Sequence, residues 1–137
     1  MLDIRENELE QRRMEAAKIL AILKKQESEL QEIIDSQIRN KEQMETLYTL
    51  DTLDIQQIEG HRDFGLKLIT DEANKRRIIA NTQMILEKKQ IEVREAHKKV
   101  EVLKKLKEKQ EEQYYKDFLD TEIKETDDIT SARFNIE

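Results

Sequence analysis

The sequence has no cysteine, no proline and no tryptophan, and its 137 residues include only 2 glycines, 3 tyrosines and 3 phenylalanines. Without cysteine there is no disulfide framework and no thiolate metal site, and nothing favours an oxidising compartment. Long apolar runs are missing too. The densest, Ile19–Leu23, falls far short of the roughly 20 residues needed to span a bilayer, and the charged opening MLDIRENELEQRR has no signal-peptide core. A soluble cytoplasmic protein is expected. Apolar content is low, at 36% hydrophobic and 4% aromatic, while 41% of residues are charged. Ordinary globular domains are about 45–50% apolar and about 25% charged. A thick core is therefore excluded, and a compact α/β or all-β domain is not expected. Disorder is excluded as well, because the aliphatic residues recur at a regular spacing.

That spacing is seven. In the first third of the chain one line runs Leu2, Leu9, Ala16, Leu23, Leu30, Gln37, Met44. Partners three or four residues further on include Ile19, Leu20, Ile33, Ile34, Leu47 and Tyr48, and the slots between them hold Arg5, Arg12, Gln26 and Asn40. A stripe this narrow fits a two-helix seam better than a broad globular face. A second line runs Ile58, Gly65, Glu72, Ile79, Leu86, Val93, Val100, flanked by Leu68, Ile69, Ala96 and Leu103. The strict repeat ends at Lys107, and continuation passes through Leu103, Leu106, Gln110, Tyr114 and Phe118, a change of period that relaxes a left-handed supercoil.

Between the lines lies Thr49-Leu50-Asp51-Thr52-Leu53-Asp54. Asp51 or Thr52 is expected to cap the second helix, with Asp54 adding favourable charge in its first turn. A fold-back here sets the lines antiparallel: Met44 faces Ile58, Leu23 faces Ile79, Ala16 faces Leu86, Leu9 faces Val93 and Leu2 faces Val100. Each pair of numbers sums to 102, and the break at Gln37 meets the break at Gly65, while Glu72 falls opposite Leu30. The expected architecture is all-α, one long two-helix antiparallel coiled-coil hairpin occupying residues 1–137, with parallel dimers of either helix as the alternative use of the same stripes. Helix one covers about 2–48, the turn 49–52, helix two 52–125 and a frayed tail 126–137. At about 1.5 Å per residue the helices are ~70 and ~110 Å long. Helix two therefore overhangs at its C-terminal end. The overhang, Leu103–Glu125, carries Leu106, Tyr114, Tyr115, Phe118 and Leu119, and it needs either fraying or a partner.

Charge falls in three blocks. Residues 1–74 hold 10 basic and 17 acidic side chains, net −7; residues 75–109 hold 12 and 5, net +7; residues 110–137 hold 3 and 9, net −6. A basic band can steer an acidic partner. Its lysines and arginines run around the helix, acids interrupt them and no aromatics interleave, so nucleic acid is not an expected partner. Acids four residues ahead of bases (Glu8/Arg12, Glu95/Lys99, Glu101/Lys105, Glu112/Lys116, Asp120/Lys124) support the helices and need no function.

Catalytic signals are weak. Gly60–Gly65 reads GHRDFG, which superficially joins two kinase signatures, but these overlap on Asp63 with no Gly-rich loop and no room for two lobes. Two glycines that each cost roughly 1 kcal/mol relative to alanine inside a helix hint instead at a close contact or flexibility near Phe64. His61 and His97 have no HExxH or carboxylate cluster around them, so no metal site is expected. No nucleophile has a matching base and scaffold. The expectation is no enzyme, no cofactor and no metal.

Several segments resemble the FliJ family, the small stalk proteins of bacterial flagellar type III export. Leu2-Asp3-Ile4-Arg5-Glu6 resembles the "LdlRe" start of that family's first helix, and His61-Arg62-Asp63-Phe64-x-x-x-Leu68 an aromatic-rich pattern early in its second. Val100–Lys109 (VEVLKKLKEK) followed by Tyr114 is similar to its "vekLkekk…y" run. Glu122-x-Lys124-x-x-Asp127-Asp128-Ile129 and Arg133-Phe134 resemble its ending. The family usually has residues ahead of "LdlRe", so a shortened start at Met1 is expected, and Ser36 and Asn40 stand where it often has aromatics.

The resemblance implies a non-enzymatic stalk and adaptor of the flagellar export apparatus. It would insert into a hexameric export ATPase, link that ring to a membrane export gate, and have export chaperones as further partners. Such a protein is cytoplasmic, peripheral at the inner membrane's cytoplasmic face and not inserted in it. By the same resemblance Leu103, Lys104, Lys105, Leu106, Lys107, Lys109, Tyr114, Tyr115 and Phe118 would meet the ATPase ring, and Phe64 and Leu68 the gate. The alternatives are an injectisome stalk homologue, or a generic adaptor coiled coil that dimerises through its overhang.

Overall fold

Two helices, α1 (Leu2–Tyr48) and α2 (Ile55–Ile136), pair antiparallel in a computed structural model that describes the backbone of residues 1–136 and the side chains of residues 1–133. Among the described residues there is no strand and no positive φ. Nothing in the composition interrupts α1, which contains neither proline nor glycine.

The turn differs in detail from the expectation. The end of α1 tightens through short-range bonds, Thr49 N to Thr46 O at 3.2 Å and Leu50 N to Leu47 O at 3.4 Å, while the Thr49 hydroxyl donates to Thr46 O at 2.7 Å. These satisfy carbonyls that the helix end leaves without partners. Helix α2 then begins at Ile55, not Thr52. Its cap is Asp54, whose Oδ1 accepts from Gln57 N at 3.2 Å and whose carbonyl accepts from Ile58 N at 3.1 Å. Asp51 and Thr52 lie too far ahead of Ile58, the first seam residue, for their side chains to reach that turn; Asp54-x-x-Gln57 places the cap correctly.

At its other end α2 continues to Ile136, so the tail expected to fray from residue 126 is helical. Thr121, Thr126 and Thr130 each donate to the carbonyl four residues back at 2.9 Å. These residues are weak helix formers, but weak propensity costs only tenths of a kcal/mol each (about 0.7 at most), and no proline or glycine stops the helix. Glu137 and the Phe134 side chain, part of the expected Arg133-Phe134 pair, lie outside the described residues.

Packing divides the chain into two units. The first comprises residues 11–93. Its core is Leu23, Ile79 and Leu86, with Ile19 and Leu30 packed against it, and Leu68 is buried further along. Every heptad slot that α2 brings to this seam, from Ile58 and His61 through Lys89 and Val93, is buried or half-buried. Cross-helix contacts show the register: Asn40 meets His61, Glu29 meets Lys75, and Arg12 meets Glu92. Their numbers sum to 101 or 104, agreeing with the fold-back centred on Asp51. Arg12 does not pair with Glu8. From its seam slot it reaches Glu15 at 3.3 Å and Glu92 at 3.5 Å, and Lys89 reaches the same two acids at 3.5 and 3.6 Å. Two cations that share the seam are thereby neutralised by two acids.

The second unit comprises residues 1–10 with 94–137. Here Leu9, Ala96 and Val100 are buried, Val100 at 2% exposure, and Leu2 and Leu103 are half-buried. From Lys104 to Arg133 every side chain is exposed. The overhang thus exists as an intact helix with no cover.

Candidate docking surface

The exposed stretch of α2 combines charge and apolar area in sequence order. Lys104, Lys105, Lys107 and Lys109 come first and are all exposed. Leu106, Tyr114, Tyr115, Phe118, Leu119, Ile123 and Ile129 are the exposed large apolar residues there, Tyr114 at 75%. Leu106, Tyr114 and Phe118 lie four or eight residues apart, and so do Tyr115, Leu119 and Ile123. At about 100° per residue a four-residue step drifts by about 40° around the helix. These rows are the i±4n ridges that pack into another helix at a steep crossing angle. A left-handed coiled coil instead needs a 3.5-residue period.

Eight of the nine expected ring-contact residues are therefore open to a partner. Leu103 is the exception, half-buried at the edge of a hollow of ≈ 320 Å³ lined also by Met1, Arg5, Lys98, Lys99 and Val102. The expected gate pair divides. Phe64 is 46% exposed, whereas Leu68 is 5% exposed and belongs to the seam. Leu68 occupies the slot after His61 and Gly65 on the face turned to α1, so of the pair only Phe64 is open to a partner.

One cluster was not legible from single residues. Asn40 is buried, and its Oδ1 lies 2.8 Å from His61 Nδ1 while its Nδ2 donates to the His61 carbonyl at 2.9 Å. Gly65 stands beside it: a Cβ there would lie 3.1 Å from Asn40 Nδ2. Gln37 continues the polar layer by donating to Glu72 at 3.3 Å, and a groove of ≈ 400 Å³ runs over Gly65 between Met44 and Ile69. The signal lay in the register, since 40 and 61 sum to nearly the same constant as the apolar pairs.

Two carboxylates have altered acidity. The Lys75 ammonium, hydrogen-bonded at 2.8 Å, holds Glu29 below its ordinary value of 4.5. Arg76, bonded at 2.9 and 3.3 Å, and then Gln37 do the same for Glu72. Glu29 thereby ties α1 to α2 through Lys75, and Glu72 joins Arg76 on α2 to Gln37 on α1. Among the described residues, no group of three His, Asp or Glu is placed to hold a metal, and no helix is long and apolar enough to cross a membrane.

The fold and the open helix define a class: an antiparallel coiled-coil hairpin that presents an uncovered helical segment. The chain matches no protein-family model, no curated protein and no solved structure.

Proposed function

We propose that this protein is a non-enzymatic stalk and adaptor of a bacterial flagellar type III export apparatus, docking through the open segment of α2 into a hexameric export ATPase. The observation that carries the reading is the uncovered run Lys104–Arg133, an ordered helix with seven exposed large apolar side chains. Clusters of exposed large apolar side chains mark interaction surfaces, which supports a docking role for this segment. Four-residue ridges favour a partner that crosses the helix over a second copy zipped along it. The lysines at its start favour acidic loops around the docking cleft. Similarity of Leu2–Glu6, Val100–Lys109 and Glu122–Ile129 to the FliJ pattern supplies the system, and the injectisome equivalent shares the same chemistry. On this reading the protein works in the cytoplasm at the inner membrane's inner face, with Phe64 turned towards the export gate and chaperones as further partners.

Mixing the full chain with a type III export ATPase tests it, reading hexamer formation and ATP turnover. Both should rise on addition of the chain. A variant ending at Val102 should lose both effects while its circular dichroism stays helical. Absence of binding by the full chain, or a stable homodimer lost on the same truncation, would replace the stalk with a dimerising adaptor.

A further inference from the structure

The register of the hairpin is poorly determined by most of its contacts. Both helices of the residue 11–93 unit repeat every seven residues, so sliding one by a heptad returns seam slots to seam slots. The turn Thr49–Asp54 has no glycine, no proline and no positive φ, and is tied to its place only by the Asp54 cap and the bonds that Thr49 and Leu50 make to the end of α1. A slip of about 10 Å (seven residues of helical rise) would only move the turn half a heptad along the chain. Ion pairs such as Glu29–Lys75 and Arg12–Glu92 join long, partly exposed side chains that can re-pair after a slip.

Asn40 is different. It is 5% exposed, so its amide needs partners inside the seam, and in this register both ends have them. Its NH₂ group is committed to the His61 carbonyl, which makes Oδ1 the acceptor and places the imidazole proton on Nδ1. Turning the amide over would set two acceptors against each other. Gly65 makes the approach fit, since a side chain at that position would begin 3.1 Å from the Asn40 nitrogen. One heptad either way, Asn40 would face Leu68, which offers no polar group, or Asp54, which is engaged as the cap of α2. His61 would face Ile33 or Leu47.

We propose that Asn40, His61 and Gly65 together are the register key of the hairpin, a buried polar contact that singles out one alignment of an otherwise slip-tolerant seam. This holds whatever the open end of α2 binds.

The chain has no cysteine, so two introduced ones can be labelled uniquely. Ser28→Cys and Glu59→Cys, at exposed positions of α1 and α2 within the same unit, carry nitroxides for electron-spin distance measurement on the full chain. The positions are offset along the seam, so a slip changes their separation directly. Labelled protein should give one distance. Adding Asn40→Leu should give a second population displaced by about 10 Å, the rise of one heptad. Should a leucine opposite His61 loosen the turn end, Asn40→Leu with His61→Leu restores an apolar pair and the same two distances are expected. A single unchanged distance in both variants overturns the proposal.

Discussion

Gln26 sits in a seam slot of α1 with its Oε1 buried and without a hydrogen-bond partner. An unsatisfied buried acceptor costs about 1–3 kcal/mol, so Gln26→Leu should stabilise the hairpin by about 1 kcal/mol or more, read as a higher urea midpoint at unchanged slope. Asp54→Ala should do the reverse, losing about 1 kcal/mol with the cap of α2. Glu29 and Glu72 make stability depend on pH with a definite sign. Each carboxyl binds its proton more weakly in the folded protein than at its ordinary 4.5. Their contribution is therefore complete above that value and disappears as pH falls through the lower folded one. Glu29→Gln should depress the melting temperature at pH 7, and the difference from the parent should shrink steadily as the pH is lowered below 4.5, through the range where the folded carboxyl takes up its proton. An equal depression throughout would show that Glu29 contributes through packing and not through its charge.

Within each helix the same residue type carries different weight on the two sides of Leu103. Leu23 lies in the Leu23–Ile79–Leu86 core, and Leu23→Ala should cost about 2–5 kcal/mol. Leu119 is uncovered, and Leu119→Ala should change stability by less than about 0.5 kcal/mol while weakening partner binding. Heptad spacing made much of this readable beforehand. The bounds of α1, the antiparallel alignment and the burial of Leu23, Ile79 and Val100 follow from period and register, which depend on many residues at once. What depends on one side chain was harder. The cap fell to Asp54 and not Asp51 because only Asp54 reaches the amide of Gln57. Leu68 resembled a partner contact by motif, yet its slot in the seam decided its burial. Asn40, a polar slot of the α1 stripe, and His61, a histidine without a cluster, reveal their contact only when both are placed at one level. The helical end of α2 escaped because weak propensity is not a stop signal.

For the molecule as a whole, the net charge of −6 conceals a central block of +7 between acidic flanks. Association driven by that block should weaken with salt, since the Debye length is about 10 Å at 0.1 M. If the proposed docking to an export ATPase holds, Lys104→Gln with Lys105→Gln should slow that association at low salt and flatten the dependence, leaving melting unchanged. The open run after Leu103 also governs how the chain survives before it finds a partner. Helical hydrogen bonds there are backed by no tertiary contact, so their opening costs only local unwinding. Amide exchange should step from slow to fast just past Leu103, and trypsin should cut first among the sites from Lys104 to Arg133. A partner that clasps this helix would shield those bonds, which makes occupancy itself a determinant of lifetime: copies left unassembled are the ones a protease can clear.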